Sequence, residues 1–211
     1  MSDAPEALLL VGSGCPHCAA VRQALETLRA SGEIAALTVV NVSERPELAR
    51  QYGVRSVPWL RLGPFELQGQ RSLAELRAWL AHAGTREGMA AYFSELLASG
   101  RLAQVEAILR RDPAQFAALF DLLADPDTEL QVRIGVGAVV EAFAGDPALQ
   151  AWTPRLCELS RHHDPRVRLD AVYYLGLGGA AEAADCLRQR LQDTDPEVRE
   201  EAAEALKAIG A

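Results

Sequence analysis

The chain has 211 residues, 49% hydrophobic and 24% charged, a composition that excludes disordered and fibrous classes and suffices for two modest cores. Its formal net charge of −8 is unevenly spread: eight acids balance eight Arg up to Gly84, whereas 21 acids face 13 bases beyond it. A field of that sign disfavours nucleic acid and anionic membrane as general partners.

In chain order, Ala7 to Val11 is an apolar run that reads as a buried strand and is too short to span a bilayer. Asp3 and Glu6 stand where a secretory signal has its basic start, so the expected location is the cytoplasm. The strand stops at Gly12-Ser13-Gly14, and a helix follows with Val21, Leu25 and Leu28 on its apolar stripe. Ala36 to Val42 predicts a second strand, Glu44 to Tyr52 a short helix, and Pro58 to Leu62 a third strand, turned by Gly63-Pro64 into Phe65 to Leu67. Ser72 is the expected N-cap of a helix carrying Leu73, Leu76, Trp79 and Leu80. The order β-α-β-α-β-β-α asks for a parallel pair with a crossover and a closing antiparallel hairpin, hence a mixed sheet flanked by helices.

Four cysteines are too few for a disulfide framework in a chain of this size, and only Cys15 and Cys18 are close in sequence. In a reducing compartment such a pair is catalytic, regulatory or metal-binding before it is structural. Cys15 follows a strand and a Gly-rich turn and is expected to open a helix, where free N–H groups and the positive dipole end stabilise a thiolate. Pro16 suits the first helical position, and a protonated His17 adds a second stabiliser beside the sulfur. Cys18, one helical turn on, is placed to attack a mixed disulfide on Cys15. Thiolates and imidazole also suit zinc, but no second pair at ligand spacing exists, so no metal and no cofactor are expected.

The element order together with Cys15-Pro16-His17-Cys18 resembles the minimal thioredoxin or glutaredoxin fold, over residues 5 to 83. The resemblance implies Cys15 as nucleophile and Cys18 as resolving thiol. It also matches Val57-Pro58 to the family's cis-proline, which implies that the Val57 backbone pairs with an extended substrate and that Pro58 shields the thiols from metals. The Pro-His dipeptide is similar to that of periplasmic disulfide-introducing oxidases, although their helical insertion and export signal are not expected here, so only the local chemistry carries over. Gly14 stands where thioredoxins have Trp, and Leu9 where many have a buried acid, which implies a narrower partner range.

Beyond Gly84 the strand signal ends. Ala- and Leu-rich segments are broken by Asp112-Pro113, Asp125-Pro126, Asp146-Pro147, Asp164-Pro165 and Asp195-Pro196, each expected to start a helix. Leu156, Val167-Arg168, Ala171, Leu175 and Gly179 align at a constant offset of 31 residues with Leu187, Val198-Arg199, Ala202, Leu206 and Gly210, and Val132-Arg133 suggests an older copy. Such a period means a stacked helical array, and the pattern resembles short HEAT repeats. The expected division is a thioredoxin-like domain over 1–84, a helical linker or cap over 85–112 and repeats over 113–211.

Within the repeats Cys157 and Cys186 read as small core residues of helices, and His162-His163 as a solvated turn. Arg133, Arg168 and Arg199 read as a ladder to the capping Asp164 and Asp195 of adjacent units. Trp59, Trp79 and Trp152 are assigned to cores or interfaces, and Tyr173-Tyr174 to core or a contact face.

The expected function is thiol–disulfide exchange at Cys15 and Cys18 on protein substrates, recycled by an unidentified reductant or oxidant, with a protein partner on the repeats. The competing reading is a redox-sensing adaptor or chaperone-like holdase whose cysteines are regulatory. A lyase-like activity on a small molecule rests on the repeat type alone.

Overall fold

The computed structural model describes residues 4–211. The chain divides into two compact units, one up to Gly88 and the other Met89–Ala211. Among the described residues no helix is long and apolar enough to cross a membrane.

The first unit contains β1 (Glu6–Val11), α1 (Cys18–Ala30), β2 (Ala36–Asn41), α2 (Pro46–Gln51), β3 (Trp59–Leu62), β4 (Phe65–Gln68) and α3 (Leu73–Ala81). The sheet order is β2-β1-β3-β4, with β1 parallel to β2, antiparallel to β3, and β3 and β4 forming a hairpin. This is the mixed sheet that the element order asks for. β1 is central, so its Leu9 and Leu10 are both fully buried. α1 buries the predicted Val21, Leu25 and Leu28. α3 starts in a capping box, in which Ser72 Oγ accepts from Glu75 N–H and the Glu75 carboxylate accepts from Ser72 N–H. Trp79 then packs on Phe65, with ring centroids 4.8 Å apart. α2 is shorter than expected and buries nothing, while Tyr52 at its end stacks on Trp59 at 5.0 Å.

The second unit is all helical: α4 (Arg86–Ala98, entering from the first unit), α5 (Leu102–Arg111), α6 (Phe116–Ala124), α7 (Leu130–Glu141), α8 (Pro147–Gln150), α9 (Thr153–Leu159), α10 (Pro165–Gly178), α11 (Ala184–Arg190) and α12 (Pro196–Ala208). Asp146, Asp164 and Asp195 each accept a backbone N–H from the first turn of the helix they precede, and Asp112 caps a short 3-10 turn ahead of α6. Asp125-Pro126 departs from this pattern: it ends α6, and Asp125 closes a turn by accepting from Asp127 N–H at 2.9 Å and from Thr128 N–H at 3.2 Å. An Asx turn satisfies the same carboxylate as a helix start does, and the dipeptide alone does not choose between them.

The repeat is visible atom by atom. Leu156 and Leu187, Val167 and Val198, and Ala171 and Ala202 are all core residues at matching places, and Gly179, the C-cap of α10, and Gly210, just past the C-cap of α12, both take left-handed φ of 69° and 73°. Arg168 Nη1 donates to the carbonyls of His162 and His163, and Arg199 Nη1 donates to those of Asp193 and Thr194, the same two positions one repeat later. Arg168 and Arg199 therefore satisfy the carbonyls of the preceding turn, which corrects the expected ladder to the capping acids. The inter-repeat bond runs instead from Arg168 to Asp193, at 3.0 and 2.7 Å through both carboxylate oxygens. Arg133 pairs with Asp170 and with the Leu123 carbonyl.

Two further readings change. Cys157 on α9 and Cys186 on α11 are disulfide-bonded, with Cα atoms 5.8 Å apart, where free core thiols were expected. The stacking of equivalent helices from adjacent repeats brings together residues that a within-helix period cannot relate. His162 is an internal acceptor, its Nδ1 taking the Asp164 N–H at 3.2 Å as Asp193 takes the Asp195 N–H at 3.0 Å. Its ring lies 4.1 Å from that of His163.

Burial pushes the Asp193 carboxyl up, but the Arg168 guanidinium, the Asp195 N–H and Arg190 outweigh it and hold the group below the usual range. Asp193 and Arg168 are 8% and 9% exposed, so Asp193→Asn leaves a buried guanidinium without its charge partner. The variant is expected to lose about 3 kcal/mol of unfolding free energy near neutral pH. Because the folded-state pKa is depressed, the difference from the parent should shrink as pH falls through the carboxylate range below about 4, as denaturant titrations across pH will show. For His162, burial and the charge of His163 lower the imidazole below its ordinary 6.5. Stability from this group is thus complete above the unfolded-state value and falls as pH drops below it, since protonation removes the acceptor lone pair. His162→Asn keeps an acceptor that does not titrate, and thermal melts between pH 7 and about 5 should lose that part of their slope.

Candidate active site

The site is built at the end of β1, where the chain must leave the sheet and enter α1. Cys15 N–H donates to the Gly12 carbonyl at 3.2 Å, and Gly14 adopts φ of 77° in the left-handed region, so the turn folds tightly. His17 is the N-cap of α1 and Cys18 its first residue. Cys15 and Pro16 therefore lie in the turn ahead of the helix, which corrects the expectation that Cys15 opens it and that Pro16 takes its first position. The first hydrogen bond into the helix is from Val21 N–H to the His17 carbonyl, at 3.4 Å. The free N–H groups of the first turn belong to residues 17 to 20, and no acid in that turn offsets their positive pole.

Cys15 and Cys18 are disulfide-bonded, with Cα atoms 5.5 Å apart. Their exposures differ in a way that matters chemically. Cys15 is half-buried at the rim, whereas Cys18 is only 6% exposed beneath it. An incoming thiolate therefore meets the Cys15 sulfur first. His17 and Pro16 are exposed between them, and the His17 side chain makes no capping bond.

The loop before β3 closes the other side. The Val57–Pro58 peptide is cis, Pro58 is buried, and the Val57 carbonyl oxygen lies 3.8 Å from Cys15 Sγ. In the disulfide that sulfur has no hydrogen to donate, so the contact becomes a hydrogen bond only when the pair is reduced. Among the described residues nothing accepts from the Val57 N–H. The Pro58 carbonyl is held by the Gly69 N–H at 2.9 Å, which fixes the loop to the end of β4.

Cys15, Cys18, Val57 and Pro58 thus come together, while Pro16 and His17 form the exposed connection. Two residues of the site go unread in the sequence. Gly12 reads as a turn residue, yet a Cβ there would come 3.0 Å from Val57 Cγ2, so its lack of a side chain lets the Val57 loop approach the cysteines. Asn41, the last residue of β2, donates from Nδ2 to Ser13 Oγ at 3.2 Å and accepts the Ser43 N–H on Oδ1 at 3.0 Å, tying the cysteine turn to the neighbouring strand. A polar residue closing the run Thr38-Val39-Val40 is the one signal that marks it.

The second disulfide is also asymmetric. Cys157 lines an open surface cavity beside Pro147, Thr153, Pro154 and Glu182, and Cys186 is 5% exposed.

Comparison with known families agrees with both halves. Residues 7–81 match the family model described as thioredoxin domain, and residues 153–211 match the one described as HEAT repeats. No curated protein matches the chain. The chain carries a thioredoxin-like domain with a close cysteine pair, followed by an all-helical region ending in HEAT repeats.

Proposed function

We propose that the chain is a thiol–disulfide oxidoreductase in which Cys15 is the nucleophile and Cys18 the resolving thiol. The observation that carries this reading is the pair's asymmetry at the head of α1, with Cys15 accessible against the Val57 carbonyl and Cys18 buried as the first helical residue. In the reducing direction the Cys15 thiolate attacks one sulfur of a substrate disulfide, forms a mixed disulfide and expels the first substrate thiolate. The Cys18 thiolate then attacks the Cys15 sulfur, the Cys15–Cys18 bond forms, and the second substrate thiolate leaves. Two electrons pass from the pair to the substrate, and oxidation runs the same steps backwards.

The environment supports each role. The positive end of α1 favours a thiolate at the pair, and the reduced Cys15 gains the Val57 carbonyl as an acceptor when it carries its proton. The unpaired N–H of Val57, the residue whose carbonyl meets Cys15, offers a backbone donor to an extended substrate, with the buried Pro58 next to it. Pro16 and His17 form the exposed rim between the sulfurs. The division into an exchange domain over 1–84, a helical connection over 85–112 and partner-binding repeats over 113–211 belongs to this reading. The competing adaptor or holdase reading draws on the exposed Leu130 and Ile134 of α7. It is favoured if a Cys15→Ser/Cys18→Ser double variant still suppresses client aggregation as well as the parent.

Cytoplasmic placement bears on which redox state is populated, because a glutathione pool keeps an unstabilised pair as thiols. Acid-trapped protein analysed by mass spectrometry should therefore carry Cys157 and Cys186 as thiols in the cytoplasm and as a disulfide in an oxidising compartment.

Cys15→Ser is expected to abolish reduction of insulin or of a small model disulfide, and Cys18→Ser to accumulate mixed disulfides that non-reducing gels resolve. After full reduction, a limiting alkylating agent should modify Cys15 well before Cys18. Preferential modification of Cys18, or insulin turnover that survives Cys15→Ser, would remove the assignment.

A further inference from the structure

α7 and α10 border a surface groove of about 500 Å³, lined by Leu130, Ile134, Gly137 and Ala138 from α7 and by Leu169 and Tyr173 from α10. Leu130 and Ile134 are 74% and 64% exposed and stand one helical turn apart on the same face. Elsewhere in α7 and α10 the large aliphatic side chains are buried or half-buried, so this pair is an apolar face that the fold leaves to water. Gly137 keeps the floor open, since a Cβ there would come 3.3 Å from the Tyr174 hydroxyl.

The charges around the groove favour one sign of ligand. Its two cations are already neutralised inside the unit, Arg133 by Asp170 and Arg166 by Asp164. Its acids are not. Glu141 accepts only the Tyr173 hydroxyl, at 3.1 Å, and Glu201 on α12 has no hydrogen bond or ion pair among the described residues. α12 packs against α10, and Glu201 stands on it at the repeat position that Asp170 holds on α10, 31 residues earlier; burial, the Glu141 carboxylate and the charge of Glu201 push the Tyr173 phenol up. Burial and the neighbouring Glu204 and Glu200 also push Glu201 up, so an arriving cation relieves a repulsion. The whole unit from Met89 onward carries 20 acids against 12 bases.

We propose that this groove docks a basic amphipathic helix of a partner protein, its apolar side chains seated on Leu130, Ile134 and Leu169 and its Lys or Arg side chains reaching Glu141 and Glu201. The proposal rests on reading the repeats as a partner-binding module and names the surface and the chemistry of that partner. An apolar contact supplies affinity that salt leaves intact, and the two unpaired carboxylates supply a cation preference that salt screens.

The test uses the full chain and a fluorescein-labelled amphipathic Leu/Lys peptide of about five helical turns, followed by fluorescence anisotropy. The peptide is expected to bind. Leu130→Ser with Ile134→Ser should weaken it at least about tenfold, as truncation of central apolar anchors does. Glu141→Gln with Glu201→Gln should weaken it and flatten its salt dependence, and a Leu/Glu peptide should not bind. Equal binding of a scrambled Leu/Lys peptide, or binding indifferent to the serine pair, would reduce the effect to bulk charge attraction and overturn the proposal. A concentration-dependent dimer in sedimentation that the serine pair abolishes would make a second copy the occupant and overturn it too. Small-disulfide turnover measured on the same samples should be unchanged by all four substitutions. If the parent chain lacks that turnover, the exchange reading fails while the peptide result stands on its own.

Discussion

The cysteine site hangs from the last two residues of β1. Leu10 pairs across the sheet with Trp59, the residue that follows Pro58, and Val11 pairs with Asn41, whose side chain holds Ser13. A central strand is bonded on both edges, so its exit point is shared by two neighbours. One of them delivers the Val57–Pro58 loop and the other steadies the cysteine turn. Shifting β1 by one residue would take Leu9 and Leu10 out of the places they fill on the two faces of the sheet and would carry Gly12 away from Val57. The register of one strand therefore sets the approach of Val57 to Cys15, and the burial of Leu9 and Leu10 holds that register.

The repeats face a different constraint, the satisfaction of turn carbonyls between stacked helices. A helix leaves its last carbonyls without partners, and a turn packed beneath the next helix cannot rely on water alone. Arg168 and Arg199 answer this with long side chains that reach back to the preceding turn. Arg168 then has charge to spare at a buried place, and Asp193 supplies the counter-charge from the next repeat. Asp193 in turn accepts the Asp195 N–H, so one carboxylate joins two repeats and orders the turn that starts α12. His162 fills the same place one repeat earlier with a neutral acceptor, which leaves the Arg168–Asp193 pair specific to the final junction.

How much of this was legible in the sequence depends on the range of the interactions. Ser72 and Glu75 announce α3 because a capping box is local, and the offset that aligns Val167 with Val198 reports the array because stacking repeats the same burial. The Gly12 contact, the Asn41 tether and the Cys157–Cys186 bond join positions 45, 28 and 29 residues apart, and neither a period of 3.6 nor one of 2 relates such pairs. Asp125-Pro126 misleads for the opposite reason. Its local signal is as strong as that of Asp164-Pro165, but the chain beyond it forms a turn closed by Asp127 and Thr128, and tertiary context decides between two uses of one dipeptide. The position of Cys15 just outside α1 is a matter of one turn of chain, decided by where the Gly12 carbonyl takes its N–H.

Charge separates the two units as clearly as fold does. Up to Gly84 the acids and arginines cancel, so the cysteine pair sits in a domain with little long-range field of its own, and in the exchange proposed for it selectivity would rest on contact at Val57 and the exposed rim. The repeats hold the entire net charge, yet at physiological ionic strength exposed charges act over only about 8 Å. A field of that reach cannot choose a partner from a distance; it can discriminate only once surfaces are nearly in contact. Shape and apolar area must therefore accompany charge for the repeats to select anything. α7 and α10 are where those features coincide, because Leu130 and Ile134 stay in water beside carboxylates that the fold leaves without cations.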